Sequence, residues 1–489
     1  MRMSLVLLVL LAPGQDRLKD KTAEGALGMV VCEHRLGAEA GVAILEKGGN
    51  AVDAAVGTAF AMGVALPSHS GMGGRSQLLV AMKDGRAFHV DGGTEVPKLS
   101  GKDAATDGWK SICTPGSVAA LALAHKEAGS LPWKDAIAPA IELAKDEKLI
   151  ATLKAVAEDW TSFYTGALAE AIDAEMKEKG GLVRKEDLAG YRAHKREPLK
   201  STYRGYDLLT CDRPASGMAV LEALHILETF DFAKVAAAAD REHVLIEALR
   251  LAFEDRGLRW EDDKARLETL ASKDHAKKRA AEIDLKKAGT PKLGGDDEGE
   301  DTTHISVVDR EGNACAFTQS LGPWHGAGKS RALGFYWNAT QGMAGRVAAG
   351  KRHVTGQSPT ILLKDGRPAL VVGSAGESRI ISAVVQTIHR TLDQGRSLRD
   401  AVCAPRWHWT GPQLTVENRL AVRELEHAKE LLDALRSRGF EPQVWRSDAH
   451  FGRVQAIQWD AAAKTYRGAA DPRGMTGAAR PVGKIKDQR

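Results

Sequence analysis

The stretch Asp301-Thr302-Thr303-His304-Ile305-Ser306-Val307-Val308-Asp309 decides how this chain is read. β-Branched residues dominate it, and Arg310-Glu311-Gly312-Asn313 follows as a turn. The pattern predicts a strand over Thr303–Asp309 and a second over Ala314–Leu321, joined as a hairpin. Just upstream, residues 286–301 (KKAGTPKLGGDDEGED) are polar, Gly-rich and finally acidic. That is the composition of a mobile surface linker. A hydroxyl residue therefore stands where a loose linker meets a strand. If the chain is cut before Thr302, that residue gains an α-amine with an unperturbed pKa of about 7.7–8.0. Such an amine can take the proton of its own hydroxyl near neutral pH, the Thr–amine version of an activated nucleophile. On its own, Thr302-Thr303-His304 is a weak signal and more often an ordinary strand start.

Outward from this junction, β patterns continue on the C-terminal side. Thr360–Lys364 and Ala369–Gly373 flank Asp365-Gly366 as a hairpin, and Val454–Trp459 and a segment near Tyr466 read as strands. Ser378–Asp393 and Glu424–Arg438 have helical periodicity. On the N-terminal side, Arg35–Glu46 predicts a helix stopped by Gly48-Gly49. Asn50 can cap a second helix, Ala51–Val64, which is apolar nearly all round and so buried. Gln77–Met82 and Ala87–Asp91 form a hairpin; Gly116 to about Ala174, Val220–Phe230 and His243–Asp255 read as helical, and Asp187 to Tyr206 as irregular. Helices and strands mix at both ends, which predicts one layered α/β body interrupted by a linker.

The chain has 489 residues, room for several domains or one large body. Hydrophobic residues at 43% and charged residues at 27% exclude wholesale disorder. Lys+Arg of 68 against Asp+Glu of 64 leaves a net charge of only +4, which is no nucleic-acid footprint. Cys32, Cys113, Cys211, Cys315 and Cys403 are scattered, without C-x-x-C spacing, so no zinc or redox motif is expected. Met1-Arg2-Met3, an aliphatic run over Leu5–Leu11 and then Ala12-Pro13-Gly14 read as a secretory signal over residues 1–14. Export to the periplasm or medium follows from that reading; a cytoplasmic protein follows if the run is instead a buried strand. Once the signal is removed, no membrane span is expected.

Several motifs, in order, resemble the γ-glutamyltranspeptidase family of N-terminal-nucleophile hydrolases. They are Gly48-Gly49-Asn50-Ala51-Val52-Asp53-Ala54-Ala55, Ser70-Gly71-Met72-Gly73-Gly74, Leu131-Pro132-Trp133 with Ala138-Pro139-Ala140-Ile141, and Thr202-Tyr203-Arg204-Gly205-Tyr206. Thr302 to Asp309, Ser358-Pro359-Thr360, Gly373-Ser374-Ala375-Gly376 with Ser378-Arg379-Ile380-Ile381, Ala404-Pro405-Arg406 and residues 468–473 (GAADPR) complete the set. The resemblance covers about Gly28 to Arg473. It implies a four-layer αββα sandwich and a precursor that cuts itself between Asp301 and Thr302. A large chain (residues 15–301, ending in the linker 286–301) and a small chain (302–489) would stay associated. Thr302 would be the nucleophile, Ser320 the second hydroxyl supporting it, and Gly376 the first of two backbone oxyanion donors. The second donor position is Glu377, whose carboxylate is adverse there unless it points away. No metal or organic cofactor is implied.

The resemblance breaks at the head-group positions. Where the family grips a glutamyl carboxylate with Arg, this chain has Gly93. The family's paired serines are Thr355 and Gly356, and an Asn two residues past the second hydroxyl is Gly322. The ligands of the glutamyl amine align with Thr340 and Met343. Each lost charge-assisted hydrogen bond removes about 1.5–3 kcal/mol of recognition. Arg75 replaces a family glycine and is a candidate for binding an anionic group, or for a solvated surface Arg. Trp324, His325, Phe335, Tyr336 and Trp337 are candidates for an apolar acyl pocket or for ordinary packing. The expected activity is hydrolysis or transfer of the acyl group of a γ-glutamyl-type or other small amide, to water or an amine acceptor. The alternatives are an acylase for a non-glutamyl substrate and an uncut, non-catalytic binding protein.

Overall fold

The computed structural model describes residues 20–101, 107–235, 237–257, 264–292, 302–323, 325–344, 348–417, 425–445 and 448–483. Strand alternation sorts the apolar residues into layers. In the Thr302–Asp309 strand, Ile305 and Val307 face the helix that begins at Ala51, whereas Val308 packs between two sheets. The first sheet runs Ala478–Pro481, Gly28–Cys32, Thr302–Asp309, Ala314–Ser320, Arg75–Ala81, Ala87–Gly92, His194–Arg196. The second runs Thr22–Gly25, Thr465–Ala470, Arg453–Asp460, Arg367–Ala375, Thr360–Lys364, Tyr206–Thr210, Leu199–Tyr203. Neighbours within both are antiparallel.

Met29, Val31, Leu79 and Val308 of the first sheet meet Leu209, Ile361, Val371 and Ile457 of the second in a dry inner layer. Outer helices cover the far face of each sheet, Ala51–Ala65 among them on the first and Arg379–Leu392 on the second. The result is the expected αββα sandwich. Asn50 starts the buried helix as read: its side chain accepts from the Val52 and Asp53 N–H groups, and the Asp53 carboxylate accepts the Asn50 N–H at 2.8 Å.

Both sheets interleave segments from either side of residue 302. Thr302–Asp309 lies between Gly28–Cys32 and Ala314–Ser320, and the latter also pairs with Arg75–Ala81. Tyr206–Thr210 pairs with Thr360–Lys364, and Thr22–Gly25 with Thr465–Ala470.

Three readings are corrected or bounded. The segment read as irregular, Asp187 to Tyr206, contains the end of the Lys185–Gly190 helix and the strands His194–Arg196 and Leu199–Tyr203; both strands are sheet edges whose largely exposed residues lack a clean apolar period. Residues 293–301 and the 1–14 signal reading lie outside the described residues. The rest of the linker is pinned: Gly289 N–H donates to Glu247 Oε1 at 3.2 Å, and Ala288 N–H to the Arg438 carbonyl at 2.7 Å. Among the described residues no helix is long and apolar enough to cross a membrane.

Glycine at 373 lets the sheets approach where the buried His304 ring sits between them; a Cβ there would lie 2.2 Å from a ring carbon. Replacing Gly373 with Ala is expected to destabilise the protein by about 1–3 kcal/mol, read as a lower urea midpoint at unchanged slope.

Candidate active site

Register sets the site. Thr302 is paired with Ser320, and Ser320 with Arg75, so three adjacent strands place these side chains in one row facing the second sheet. Thr302 Oγ1 donates to Ser320 Oγ at 3.1 Å, and Ser320 Oγ accepts the Gly322 N–H at 2.9 Å. Both hydroxyl residues are almost fully buried, at 2% and 1% exposure, so bulk water does not compete for the contact.

The second sheet supplies the opposite wall. The Arg367–Ala375 strand ends in Gly376 (φ 123°) and Glu377 (φ 50°), and the helix starts at Arg379 after a right-handed Ser378. Glycine is needed at 376 because a Cβ would come within 3.0 Å of the Gly452 Cα. A left-handed Glu377 is strained by about 1–2 kcal/mol. Two contacts hold it: Oε2 meets Arg75 Nη2 at 2.9 Å, and Oε1 accepts the Gly356 N–H at 3.1 Å. Left-handed then right-handed backbone at a helix start is an arrangement that gathers N–H groups around an anion.

A second ion pair spans the sheets on the other flank of Thr302. Glu33, following the Gly28–Cys32 strand, binds Arg453 Nε, and Arg453 Nη2 donates to the Thr302 carbonyl at 3.1 Å. The two pairs run in opposite senses. The first sheet gives the carboxylate at Glu33 and the guanidinium at Arg75, and the second sheet gives the reverse. His353 completes the first pair by contacting Arg75 Nη1, and burial, then the Arg75 charge, holds its pKa well below the ordinary value. Burial raises the Glu33 carboxyl, and the Arg453 charge opposes it.

Thr302, Ser320, Gly322, Arg75, Gly356, Gly376 and Glu377 thus come together. Arg75 is not a surface group: it is 1% exposed and committed to Glu377 and His353. Thr355 is buried beside Gly356, its carbonyl accepting from Ser216 Oγ at 2.6 Å. The head-group positions are filled from elsewhere. A Cβ at Gly93 would lie 3.2 Å from Arg352 Cδ, and the Arg352 guanidinium is itself taken by Asp91 (2.7 Å) and Glu95 (2.8 Å). A Cβ at Gly322 would lie 3.0 Å from the Thr340 methyl, and Thr340 Oγ1 bonds Asn338 Oδ1 at 2.8 Å and Thr94 Oγ1 at 2.9 Å. Met343 lies in the short Gln341–Ala344 helix.

Phe335 and Trp337 belong to the core beneath the first sheet's helices, packing edge-on at 4.6 Å, and Phe335 meets Phe163. Ordinary packing explains these two. Tyr336 pairs through its backbone with Lys329, and Trp324 lies outside the described residues. His325 sits 6.0 Å from His69, whose pKa falls to about 3, by burial first and the Arg453 charge second.

Glu33, Arg453 and His353 were missed by sequence reading. A signal existed for the first two: each continues a strand in the inward phase of its alternation, Glu33 after Val31 and Arg453 before Gln455 and Ile457. Nothing marks His353. Away from the site, Glu222, Asp255 and His275 hold ligand atoms within 4.8 Å of one another, as a metal site would. Arg279 Nε already lies 3.3 Å from Asp255, and hydrogen bonds to the two carboxylates raise the His275 pKa, so the group works as an ion-pair network.

Two stacked antiparallel sheets with a buried threonine opening a central strand define an N-terminal-nucleophile hydrolase fold. A γ-glutamyltranspeptidase family profile matches residues 37–147 and 145–480. The chain belongs to that family. It is 31% identical to a glutathione hydrolase proenzyme of Escherichia coli strain K12 (92% of this chain, 90% of that protein). It is 32% identical to an acylase ACY 1 proenzyme of Pseudomonas sp. strain SE83 (90% of this chain, 91% of that protein). Among solved structures, a cephalosporin acylase from Bacillus halodurans superposes with a TM-score of 0.86 at 27% identity, covering 99% of this chain and 100% of that one.

Two stability predictions follow from the buried groups. Arg75→Met strands the Glu377 carboxylate and is expected to cost about 3–5 kcal/mol in urea unfolding. His304 is fully buried with a pKa of about 3, set by burial alone. The unfolded chain, with histidine near about 6.5, binds that proton first, so stability falls as pH drops through 6.5 toward 3. His304→Asn should flatten the decline of melting temperature between about pH 7 and pH 5.

Proposed function

We propose that the chain cuts itself between Asp301 and Thr302, and that Thr302 is then the nucleophile of a small-amide hydrolase or acyltransferase. In the first step Thr302 Oγ attacks the Asp301 carbonyl, the amide C–N bond breaks and an ester forms. Water releases the ester, leaving an Asp301 carboxylate and a free Thr302 α-amine. In turnover the amine takes the Thr302 hydroxyl proton as Oγ attacks the substrate amide, and returns it to the departing amine. Water or an amine acceptor then removes the acyl group. The single observation that carries the reading is the buried 3.1 Å contact between Thr302 Oγ1 and Ser320 Oγ, in the row whose third member, Arg75, reaches Glu377. Gly376 and Glu377 would stabilise the oxyanion through backbone N–H groups, and the Glu377 carboxylate is turned to Arg75 and Gly356. The large and small chains would remain one body, because each sheet needs strands from both.

The acyl group we favour is not γ-glutamyl. Gly93 offers no cation, Arg352 is neutralised by Asp91 and Glu95, and Arg75 by Glu377. An incoming α-carboxylate would have to displace a buried carboxylate to be gripped. The glutathione hydrolase relative keeps the γ-glutamyl reading alive as the second possibility, and the acylase relative supports the first.

Intact mass and N-terminal sequencing test the proposal. Wild type is expected as two chains that co-elute on size exclusion, the smaller beginning at Thr302, and Thr302→Ala as a single chain. Ser320→Ala should slow both cutting and turnover by about tenfold or more. A wild type that stays whole after long incubation would favour a non-catalytic binding protein. Among substrates, γ-glutamyl-p-nitroanilide should be turned over more slowly than the best member of an acyl-anilide panel; the reverse order would restore the glutamyl reading.

A further inference from the structure

We infer that the Glu33–Arg453 pair sets the basicity of the Thr302 α-amine, with Arg453 acting as a positioning residue that keeps this amine unprotonated at neutral pH. The inference rests on the reading of Thr302 as an N-terminal nucleophile. Arg453 Nη2 lies 3.1 Å from the Thr302 carbonyl oxygen. That oxygen and the nitrogen of the same residue are separated by three bonds and by no more than about 4 Å. After the cut, therefore, a buried guanidinium sits within about 7 Å of the new amine, the sum of those two distances. A like charge at that range disfavours an ammonium and lowers its pKa, and burial acts in the same sense. The amine must hold its lone pair to take the hydroxyl proton, so this shift widens the working range toward acid. Glu33 has the opposite sign. It anchors Arg453 through Nε and tempers the shift.

The other charged and titratable groups around Thr302 have partners of their own. On the neighbouring strand and the facing turn, Arg75 and Glu377 neutralise each other at 2.9 Å. His353 is held neutral by burial and by Arg75, and His304, on the nucleophile's own strand, has a pKa of about 3. From the loop after the Ala51–Ala65 helix, His69 has a pKa of about 3, with His325 beside it. Behind Glu33, Asp471 is committed to Arg406 (2.7 Å) and Arg473 (3.0 Å), and the Lys21 ammonium, bonded to the Gly474 carbonyl (2.6 Å), lies in the field of Asp471 and Glu33. Arg453 is set apart from them by its direct hydrogen bond to Thr302 itself.

The test is a ¹⁵N titration of [¹⁵N]threonine-labelled, fully cut protein, in which the Thr302 nitrogen is the threonine nitrogen that becomes an amine. Wild type is expected to titrate about 1 pH unit or more below the ordinary 7.7–8.0. Arg453→Met should move the amine up by about 1 unit, and Glu33→Gln should move it down. Arg453→Lys, which keeps the charge but loses the fork, should leave it within a few tenths. The acid limb of kcat/KM on the best anilide should move with each. A wild-type amine at or above the ordinary value overturns the inference, without need of any variant. So does a Met variant that does not move it, a Lys variant that moves it as far as Met, or a shift of the same sign in Glu33→Gln. Intact mass, taken first, separates the two failures. A chain that never cuts removes the reading of Thr302 and this inference with it, while a cut, active protein with an unmoved amine removes the inference alone.

Discussion

The structure depends on the Thr302–Asp309 strand being buried on both faces and paired on both edges. One partner, Gly28–Cys32, comes from about 270 residues upstream, and the other, Ala314–Ser320, is its own hairpin neighbour. Its outward residues, Ile305 and Val307, anchor the helical layer, and its inward ones reach the second sheet, where Ser306 Oγ donates to the Gln455 carbonyl at 2.9 Å. A strand so constrained cannot slip by one residue without turning Ile305 and Val307 into the inner layer and the polar row outward. The same constraint fixes where the Thr302 hydroxyl points. A hydroxyl on a loop would have to be oriented by its own contacts; here the ladder orients it.

Between the sheets, the inner layer changes character along the strands. At one end it is aliphatic, with Met29, Leu79, Val371 and Ile457. Toward Thr302 it becomes polar, through His304 with Thr318 (2.8 Å) and Gln77 with Asp91 (2.9 Å), and ends in the two ion pairs. Burying four charges there carries a desolvation cost that only close pairing offsets. Such groups add little stability over an apolar packing of equal volume. They do leave a low-dielectric site lined by fixed charges, in which electrostatic interactions are stronger than in water.

The departures from family pattern also make physical sense as a set. Small residues at 93 and 322 coexist with neighbours that grow into their space, Arg352 against the first and Thr340 against the second. Arg75 and Glu377, each odd when taken alone, satisfy one another across the gap. At and around these positions the charges of this chain pair with one another, Arg75 with Glu377 and Arg352 with Asp91 and Glu95.

Much of this was legible in the sequence. The cap at Asn50, the hairpins, the helix over Arg379–Leu392 and the Thr302 strand follow from local chemistry: periodicity, turn residues and β-branching act within a few residues. Thr302 was legible where the polar linker meets a strand, and Ser320 through the family resemblance. The partners of Arg75 and Thr302 were not. Glu377 lies 302 residues from Arg75, and Arg453 lies 420 from Glu33 and 151 from Thr302. Pattern along a strand says that such residues face inward, but not which residue faces them. The sequence by itself determined the elements, the family and the nucleophile candidate. Only the stacking of two sheets decided that the odd charges are paired, that Arg75 is no free anion site, and which guanidinium stands beside Thr302, because inter-sheet distance is a property of packing and not of order along the chain.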